Sequence, residues 1–172
     1  MTAAAAPNQF SVRAENRDDF DAIRALLEAS FPGPAEANLV DRLRSDGDLL
    51  LALLAVDRAG SIIGYAAFPK LILDDDDVAA GLAPLAVAAS FRRRGVGAAL
   101  VRAGIAALRD FGRPIVFVLG DPSYYRRFGF DAATAAPFDS HYAGPHSMAL
   151  RLTANAPSGG QVHYPPAFAN LE

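Results

Sequence analysis

Three consecutive arginines and two glycines make up the stretch best suited to chemistry, Arg92-Arg93-Arg94-Gly95-Val96-Gly97-Ala98. The apolar run before it, residues 82–87, predicts a buried strand, and the sequence from Gly95 to Phe111 predicts a helix. Residues 92–98 therefore lie where a strand has ended and a helix begins. The first N–H groups of a helix have no partner within it, and the helix dipole places partial positive charge there. With the arginine charges added, this arrangement predicts a binding site for a phosphate or a pyrophosphate.

Two common phosphate-binding motifs do not fit this stretch. A Walker A loop requires Lys-Ser or Lys-Thr after its second glycine, and neither pair follows here. A dinucleotide-binding fingerprint requires a third glycine at the position that Leu100 occupies. The residues from Arg92 to Gly97 match instead the pattern Q/R-x-x-G-x-G/A, and in this the chain resembles the GNAT N-acetyltransferases.

Further segments extend this resemblance in the expected order. Pro84-Leu85-Ala86-Val87 looks like the fourth strand of that family, and residues 125–130 resemble its Y-x-x-x-G-F element. The segment from Val118 to Phe130 and the tail Val162-His163-Tyr164-Pro165-Pro166-Ala167-Phe168 are similar to the bacterial YhbS-like branch of predicted acetyltransferases. The resemblance covers nearly all of the chain after about residue 10.

The resemblance implies both a fold and an activity. The implied fold is α/β, with a mixed, mostly antiparallel central sheet that is splayed between its fourth and fifth strands and carries helices on both faces. The implied activity is N-acetyl transfer from acetyl-coenzyme A to a primary amine, either a small amine or a peptide amine, by direct attack in a ternary complex. No metal is expected. The alternative, from a different functional class, is a non-catalytic domain of the same fold that binds or senses acyl-coenzyme A.

The resemblance also implies how the donor is held. Backbone groups of the fourth strand would pair with the pantetheine arm, and the arginine-glycine stretch would bind the pyrophosphate. Pro84 lacks an N–H group, so it suits a bulge or a splay point in that strand. The cofactor-binding residues predicted in this way are Leu85, Ala86, Val87, Arg92, Arg93, Arg94, Gly95, Val96, Gly97, Ala98, Asp121 and Tyr124.

Acetyl transfer needs a group that protonates the leaving thiolate and a group that takes a proton from the ammonium. Tyr125 occupies the position of the family's general-acid tyrosine, and a phenol is suited to protonating a thiolate. The candidates for the general base are Glu36, His141 and His146, with water held by a backbone carbonyl as the alternative. His163 is interpreted as a structural residue.

Composition limits the other possibilities. The 172 residues include no cysteine, which excludes disulfides and a thiol nucleophile and agrees with a reducing cytoplasm. A net charge of -3 argues against nucleic acid as the main partner, and no apolar run has the length of a membrane span. We expect a cytoplasmic monomer or homodimer whose partners are acetyl-coenzyme A and an amine acceptor. Residues 1–9 show no signal-peptide pattern and are expected to form a disordered lead-in to one domain over residues 10–172.

Apolar periodicity and turn residues predict the elements that position these groups. Helices are predicted around residues 20–31, 36–45 and 95–111, and a short one is predicted between the cap Asp121-Pro122 and Gly129. The predicted strands cover residues 10–13, 49–56, 62–73, 82–87, 114–119, 130–133 and 148–152. The four aspartates at 74–77 are interpreted as a solvated turn, with a cation site or an acceptor-steering patch as alternatives.

Overall fold

A computed structural model describes residues 9–171, so the predicted lead-in lies almost wholly outside the described residues. The strands are β1 (Phe10–Ala14), β2 (Leu49–Asp57), β3 (Ile62–Leu73), β4 (Asp76–Leu82), β5 (Leu85–Val87), β6 (Ile115–Leu119), β7 (Phe138–Asp139), β8 (Ser147–Arg151) and β9 (Gly160–His163). The α-helices are α1 (Phe20–Ser30), α2 (Ala35–Asp46), α3 (Val96–Asp110), α4 (Pro122–Tyr125) and α5 (Ala132–Ala135).

The strands of residues 9–171 form one sheet in which the main path runs β1-β2-β3-β4-β6-β8. Strand β4 is parallel to β6 and β7 is parallel to β9, whereas the other pairs are antiparallel. The parallel β4–β6 pair needs a long crossover, and α3 provides it. The prediction of a mixed, mostly antiparallel sheet is confirmed.

Helices cover both faces because the side chains of β3 alternate between two cores. Ala66 and Phe68 pack with Leu100 of α3, while Tyr65 and Ala67 pack with α1 and α2 on the opposite face. The helices bury the predicted apolar stripes, since Leu27 of α1 is only 1% exposed and other inward positions are similarly buried.

A half-buried ion pair ties α2 to the segment that follows β1. The guanidinium of Arg44 makes two hydrogen bonds to the carboxylate of Glu15, at 2.9 and 2.7 Å, and lies 3.9 Å from the centre of the Phe20 ring. The hydroxyl of the buried Tyr65 donates a third hydrogen bond to Glu15, at 3.1 Å. This network holds the beginning of α1, the end of α2 and β3 in one arrangement.

The apolar run at residues 82–87 is not one strand, as the sequence predicted, but two. Strand β4 ends at Leu82, which pairs with Val118 of β6, and β5 begins at Leu85 and pairs only with β3. The break falls at Ala83-Pro84, in agreement with the expectation that the proline marks a splay point. Strands β5 and β6 are consequently unpaired with each other, and the predicted splay of the sheet is confirmed.

Other local predictions were partly right. Asp121 caps α4, Pro122 is its first residue, and Gly129 ends the following turn with a φ of +97°. The predicted strand at 130–133 is wrong, because Asp131 makes one bridge to Ala149 and caps α5 instead. Strands β7 and β9 were not predicted.

No helix within residues 9–171 combines the length and the apolar character needed to cross a bilayer.

Only Asp74 and Asp75 of the aspartate run form a turn, because Asp76 and Asp77 are the first residues of β4, and two of the four have structural partners. The carboxylate of Asp74 accepts a hydrogen bond from the backbone N–H of Gln161, at 3.0 Å, and so holds β9 against the hairpin. Asp77 pairs with Arg113 at 2.6 Å. These contacts support the structural interpretation of the run.

Candidate active site

The splay between β5 and β6 opens into a cavity of about 620 Å³. Its walls come from the end of α1, strand β5, the arginine-glycine turn, the first turn of α3 and the α4 region. The lining residues are Ser30, Phe31, Leu85, Ala86, Val87, Phe91, Arg92, Arg93, Gly95, Val96, Gly97, Ala98, Tyr124 and Arg127. The tertiary structure thus brings together most of the residues that the sequence assigned to the donor.

Strand β5 presents an open backbone edge to this cavity. The hydrogen bonds from Ala67 N to Pro84 O and from Ala88 N to Ile63 O flank its pairing with β3. Because hydrogen-bonded pairs alternate in an antiparallel ladder, Ala86 turns its own N–H and C=O groups toward β3. Leu85 and Val87 therefore direct their backbone groups away from β3, toward the splay. Of the three predicted backbone partners, Ala86 faces the wrong way to pair with a ligand there.

The first turn of α3 supplies unpaired N–H donors. Gly95 precedes the helix with a φ of +83°, a left-handed conformation that glycine adopts without strain, and no side chain caps this end. The N–H groups of Val96, Gly97 and Ala98 fall in the first turn, where the helix itself offers no acceptor. The first turn also contains no acidic residue that would compete for the site. An anion can approach these donors directly.

The three arginines differ in their placement. Arg92 and Arg93 line the cavity, and the Nε of Arg92 donates to the carbonyl of Val87 at 3.2 Å. Arg94 is not among the lining residues, and its guanidinium lies 5.5 Å from the centre of the Phe91 ring. The ion pairs within residues 9–171 involve none of the three, so their charges are not neutralised by described carboxylates. The potential of the cavity mouth is therefore positive.

Tyr124 forms the wall opposite the helix terminus. Its hydroxyl oxygen would lie only 2.6 Å from a Cβ atom placed on Gly97, so the ring packs closely against the first turn of α3. The guanidinium of Arg127 covers the ring at 4.4 Å from its centre and donates from Nε to the Tyr124 carbonyl at 3.2 Å. Burial raises the pKa of Tyr124. The two residues close the cavity together.

Tyr125 lies beside the end of β6 and does not line this cavity. Its ring packs against Gly120, which has no room for a side chain, since the Cε2 atom would be 2.6 Å from an added Cβ. The rings of Tyr124 and Phe130 contact it edge-to-face at 5.0 and 5.8 Å. Burial, and to a smaller extent the nearby Tyr124, raises the pKa of Tyr125 to about 12. Its phenol is therefore protonated throughout the physiological pH range.

The remaining loop residues next to the splay have local partners. Asp121 accepts hydrogen bonds from the N–H and the hydroxyl of Ser123, at 2.9 and 2.8 Å, and these bonds lower its pKa. It is exposed and is not among the residues that line the cavity. One nitrogen of His146 lies 3.2 Å from the carbonyl of Gly120. Both residues stabilise the turn between β6 and α4.

The candidates for the general base lie apart from one another. Glu36 is in the first turn of α2, and its Oε2 atom is buried with no hydrogen-bond partner among residues 9–171. His141 is exposed on the loop after β7, where its ring contacts Tyr142. His163, which was interpreted as a structural residue and not as a base, belongs to β9. Only Glu36 combines a buried oxygen with the absence of a described partner.

Four residues of the cavity were not among the predicted donor-binding residues: Ser30, Phe31, Phe91 and Arg127. Phe91 and Arg127 adjoin recognised motifs, so proximity to those motifs was a usable signal. Ser30 and Phe31 come from the end of α1, more than fifty residues away in sequence, and reach the cavity only through the packing of α1 on β3 and β5.

Within residues 9–171 there is no group of three or more His, Asp or Glu side chains placed to hold a metal ion.

Comparisons with known proteins agree with this geometry. The profile of the acetyltransferase (GNAT) family matches residues 20–130. The uncharacterized N-acetyltransferase YhbS of Escherichia coli is 40% identical over 162 residues, which cover 91% of this chain and 97% of that protein. The crystal structure of E. coli YhbS in complex with CoA superposes with a TM-score of 0.89 at 37% identity, covering 97% of this chain and 96% of that one.

A second solved structure extends the comparison. It is a GNAT family acetyltransferase from Brucella melitensis in complex with acetyl-CoA, with a TM-score of 0.79 and 30% identity over 92% of this chain and 97% of that one. The chain therefore shares its fold with both of these proteins. The chain belongs to the acetyltransferase (GNAT) family.

Proposed function

We propose that this protein transfers an acetyl group from acetyl-coenzyme A to a primary amine by direct attack in a ternary complex. The observation that carries the proposal is the cavity that joins the open edge of β5 to the first turn of α3. A thioester donor with a long amide-containing arm and a pyrophosphate has the chemistry that these two surfaces recognise. The complexes of the E. coli and Brucella melitensis relatives with CoA and acetyl-CoA support this assignment.

The donor would occupy the cavity as an added strand. The backbone groups of Leu85 and Val87 would pair with the amides of the pantetheine arm, and the N–H groups of residues 96–98 would bind the pyrophosphate. Arg92 and Arg93 would place positive charge close to the pyrophosphate, and Arg94 would do so from a longer distance. Arg127 lies on the opposite wall of the cavity. Asp121 would act through its cap on α4 and not by direct contact.

The chemistry then needs two proton transfers. The amine must lose a proton before its lone pair attacks the thioester carbon, and the tetrahedral intermediate collapses as the carbon–sulfur bond breaks. The leaving thiolate takes a proton, for which Tyr125 is the proposed donor. Its ring lies against Gly120, one residue beyond the end of β6, and therefore next to the splay. No covalent enzyme intermediate is required.

We assign the general base to Glu36 in preference to His141, because Glu36 has a buried carboxylate oxygen without a described partner. Glu36→Gln is expected to lower kcat/KM about 10²-fold near pH 7, where the amine is an ammonium ion. The loss should shrink above about pH 10, where the amine is already deprotonated. The measurement is a pH–rate profile for both the wild type and the variant.

His141→Gln serves as the comparison for this experiment. It removes a second candidate for the general base and should leave the shape of the profile unchanged. A Glu36→Gln profile that matches the wild type at every pH would exclude Glu36 and leave a water molecule as the better candidate.

The proposed function itself is tested by the release of free thiol. The purified protein is mixed with acetyl-coenzyme A and a panel of primary amines, and the thiol is measured with and without each amine. Amine-dependent release, with the acetylated amine identified by mass spectrometry, is the expected result. Tight binding of acetyl-coenzyme A without release for any amine would favour a non-catalytic binding domain.

A further inference from the structure

The C-terminal segment forms a second cavity that the proposed donor site does not use. This cavity has a volume of about 580 Å³ and lies between the loop of residues 139–142 and the segment of residues 161–169. That segment contains the tail motif from Val162 to Phe168. It belongs to β9 and the 3₁₀ turn after it, which packs against α2.

Three aromatic rings form one wall of this cavity. The centres of the Tyr142 and Tyr164 rings are 4.8 Å apart, and those of Tyr164 and Phe168 are 5.1 Å apart. The hydroxyl of Tyr142 donates to the carbonyl of Phe168 at 3.4 Å. The wall is thus built from mutually supporting side chains that come from two distant parts of the sequence.

The same rings adjoin the splay of the sheet. They pack in one cluster with Leu39 and Leu43 of α2 and with Ala83, the residue at the break between β4 and β5. Glu36 lies one helical turn before Leu39, on the same side of α2. The aromatic wall therefore extends from the second cavity to the break between β4 and β5, beside α2, which carries the proposed base.

The charges of the cavity favour a cation. Among its described lining residues, Asp139 is the only carboxylate, there is no lysine or arginine, and the imidazoles are those of His141 and His163. Asp139 is exposed and takes part in none of the ion pairs within residues 9–171. The faces of aromatic rings also attract positive charge. A carboxylate and aromatic faces in one cavity have the chemistry that recognises an ammonium group.

We propose that this cavity holds the part of the acceptor that is not acetylated, and that it selects primary amines carrying a second positive charge. One amino group would reach the splay and lose its proton there. The other would remain an ammonium ion between Asp139 and the rings of Tyr142 and Tyr164. This proposal rests on the proposed function and adds the acceptor class to it.

The test compares 1,5-diaminopentane with pentylamine, which has the same carbon chain but a single amino group. With the wild type, kcat/KM for the diamine is expected to exceed that for pentylamine about tenfold, the combined effect of one exposed ion pair and one cation–π contact. Asp139→Asn should remove the ion-pair share of this advantage by raising KM for the diamine, and it should leave kcat unchanged. Asp110→Asn, which removes an equal charge at the exposed end of α3, is the control and should preserve the advantage.

Equal kcat/KM values for the two amines, or a loss of the advantage in both variants, would overturn the proposal. If neither amine is acetylated, the amine panel decides the proposed function separately, and calorimetry on the protein loaded with coenzyme A decides the cavity. Binding of the diamine that is stronger than binding of pentylamine and is weakened by Asp139→Asn would support a cation site. Equal binding of both amines would refute it.

Discussion

Tyr125→Phe is expected to lower kcat by about 10²–10⁴-fold, the usual contribution of a general acid. The substitution keeps the ring that packs against Gly120 and Phe130 and deletes only the hydroxyl. That hydroxyl has no hydrogen-bond partner among residues 9–171, so its removal should not destabilise the fold. Steady-state rates with saturating acetyl-coenzyme A, together with calorimetry of coenzyme A binding, separate the loss of chemistry from a loss of affinity.

The raised pKa of Tyr125 also predicts how kcat depends on pH. A general acid must be protonated to act, and burial raises the pKa of this phenol to about 12. Tyr125 therefore stays protonated as the pH rises through 10, the ordinary value for tyrosine. The wild-type kcat should show no fall from tyrosine ionisation below about pH 11. A fall of kcat centred near pH 10 would indicate that the general acid is a group with an ordinary tyrosine pKa and not Tyr125.

Tyr124→Phe is the matched control. Tyr124 is the neighbouring phenol but faces the donor cavity, so its loss should affect coenzyme A binding slightly and leave the chemical step intact. A Tyr125→Phe protein with wild-type turnover, where chemistry is shown to limit the rate, would make Tyr125 a packing residue. If neither substitution changed any measured property, and no amine supported turnover, a non-catalytic binding domain would be the better interpretation.

Gly97→Ala is expected to weaken coenzyme A binding by about 5- to 150-fold, which corresponds to the usual cost of overpacking, about 1–3 kcal/mol. The new Cβ atom would lie 2.6 Å from the Tyr124 hydroxyl and 3.6 Å from Val87 Cγ2. Tyr124, which lines the proposed donor cavity, must then shift. Alanine is a better helix former than glycine by about 0.8–1.0 kcal/mol, so α3 itself is not weakened. Calorimetry on the folded variant provides the measurement.

The double variant Gly97→Ala/Tyr124→Phe tests the mechanism of this loss. Removing the hydroxyl removes the atom that the Cβ would strike, because the ring carbon Cζ is 3.8 Å away. Much of the affinity should return. Unchanged affinity in a folded Gly97→Val protein would refute the assignment of this turn to the pyrophosphate, since valine blocks the approach to the backbone more completely than alanine.

The sequence by itself predicted the elements whose signals are local. The apolar stripe of α3 and the Asp121-Pro122 cap of α4 each depend on residues within a few positions of one another, and the structure contains both. The arginine-glycine motif adjoins such a helix start, so its position at the mouth of a cavity could also be foreseen. The family resemblance supplied the splay of the sheet.

Only the tertiary structure decided features that depend on distant partners. An apolar run does not reveal which strand each half pairs with, so residues 82–87 looked like one strand although β4 joins β6 and β5 does not. The same pairing turns Ala86 inward and leaves Leu85 and Val87 at the open edge. A four-residue helix such as α5 is too short for periodicity to identify, and β7 and β9 pair across more than twenty residues. The aromatic wall of the second cavity likewise joins Tyr142 to Phe168 through long-range packing, which no local pattern encodes.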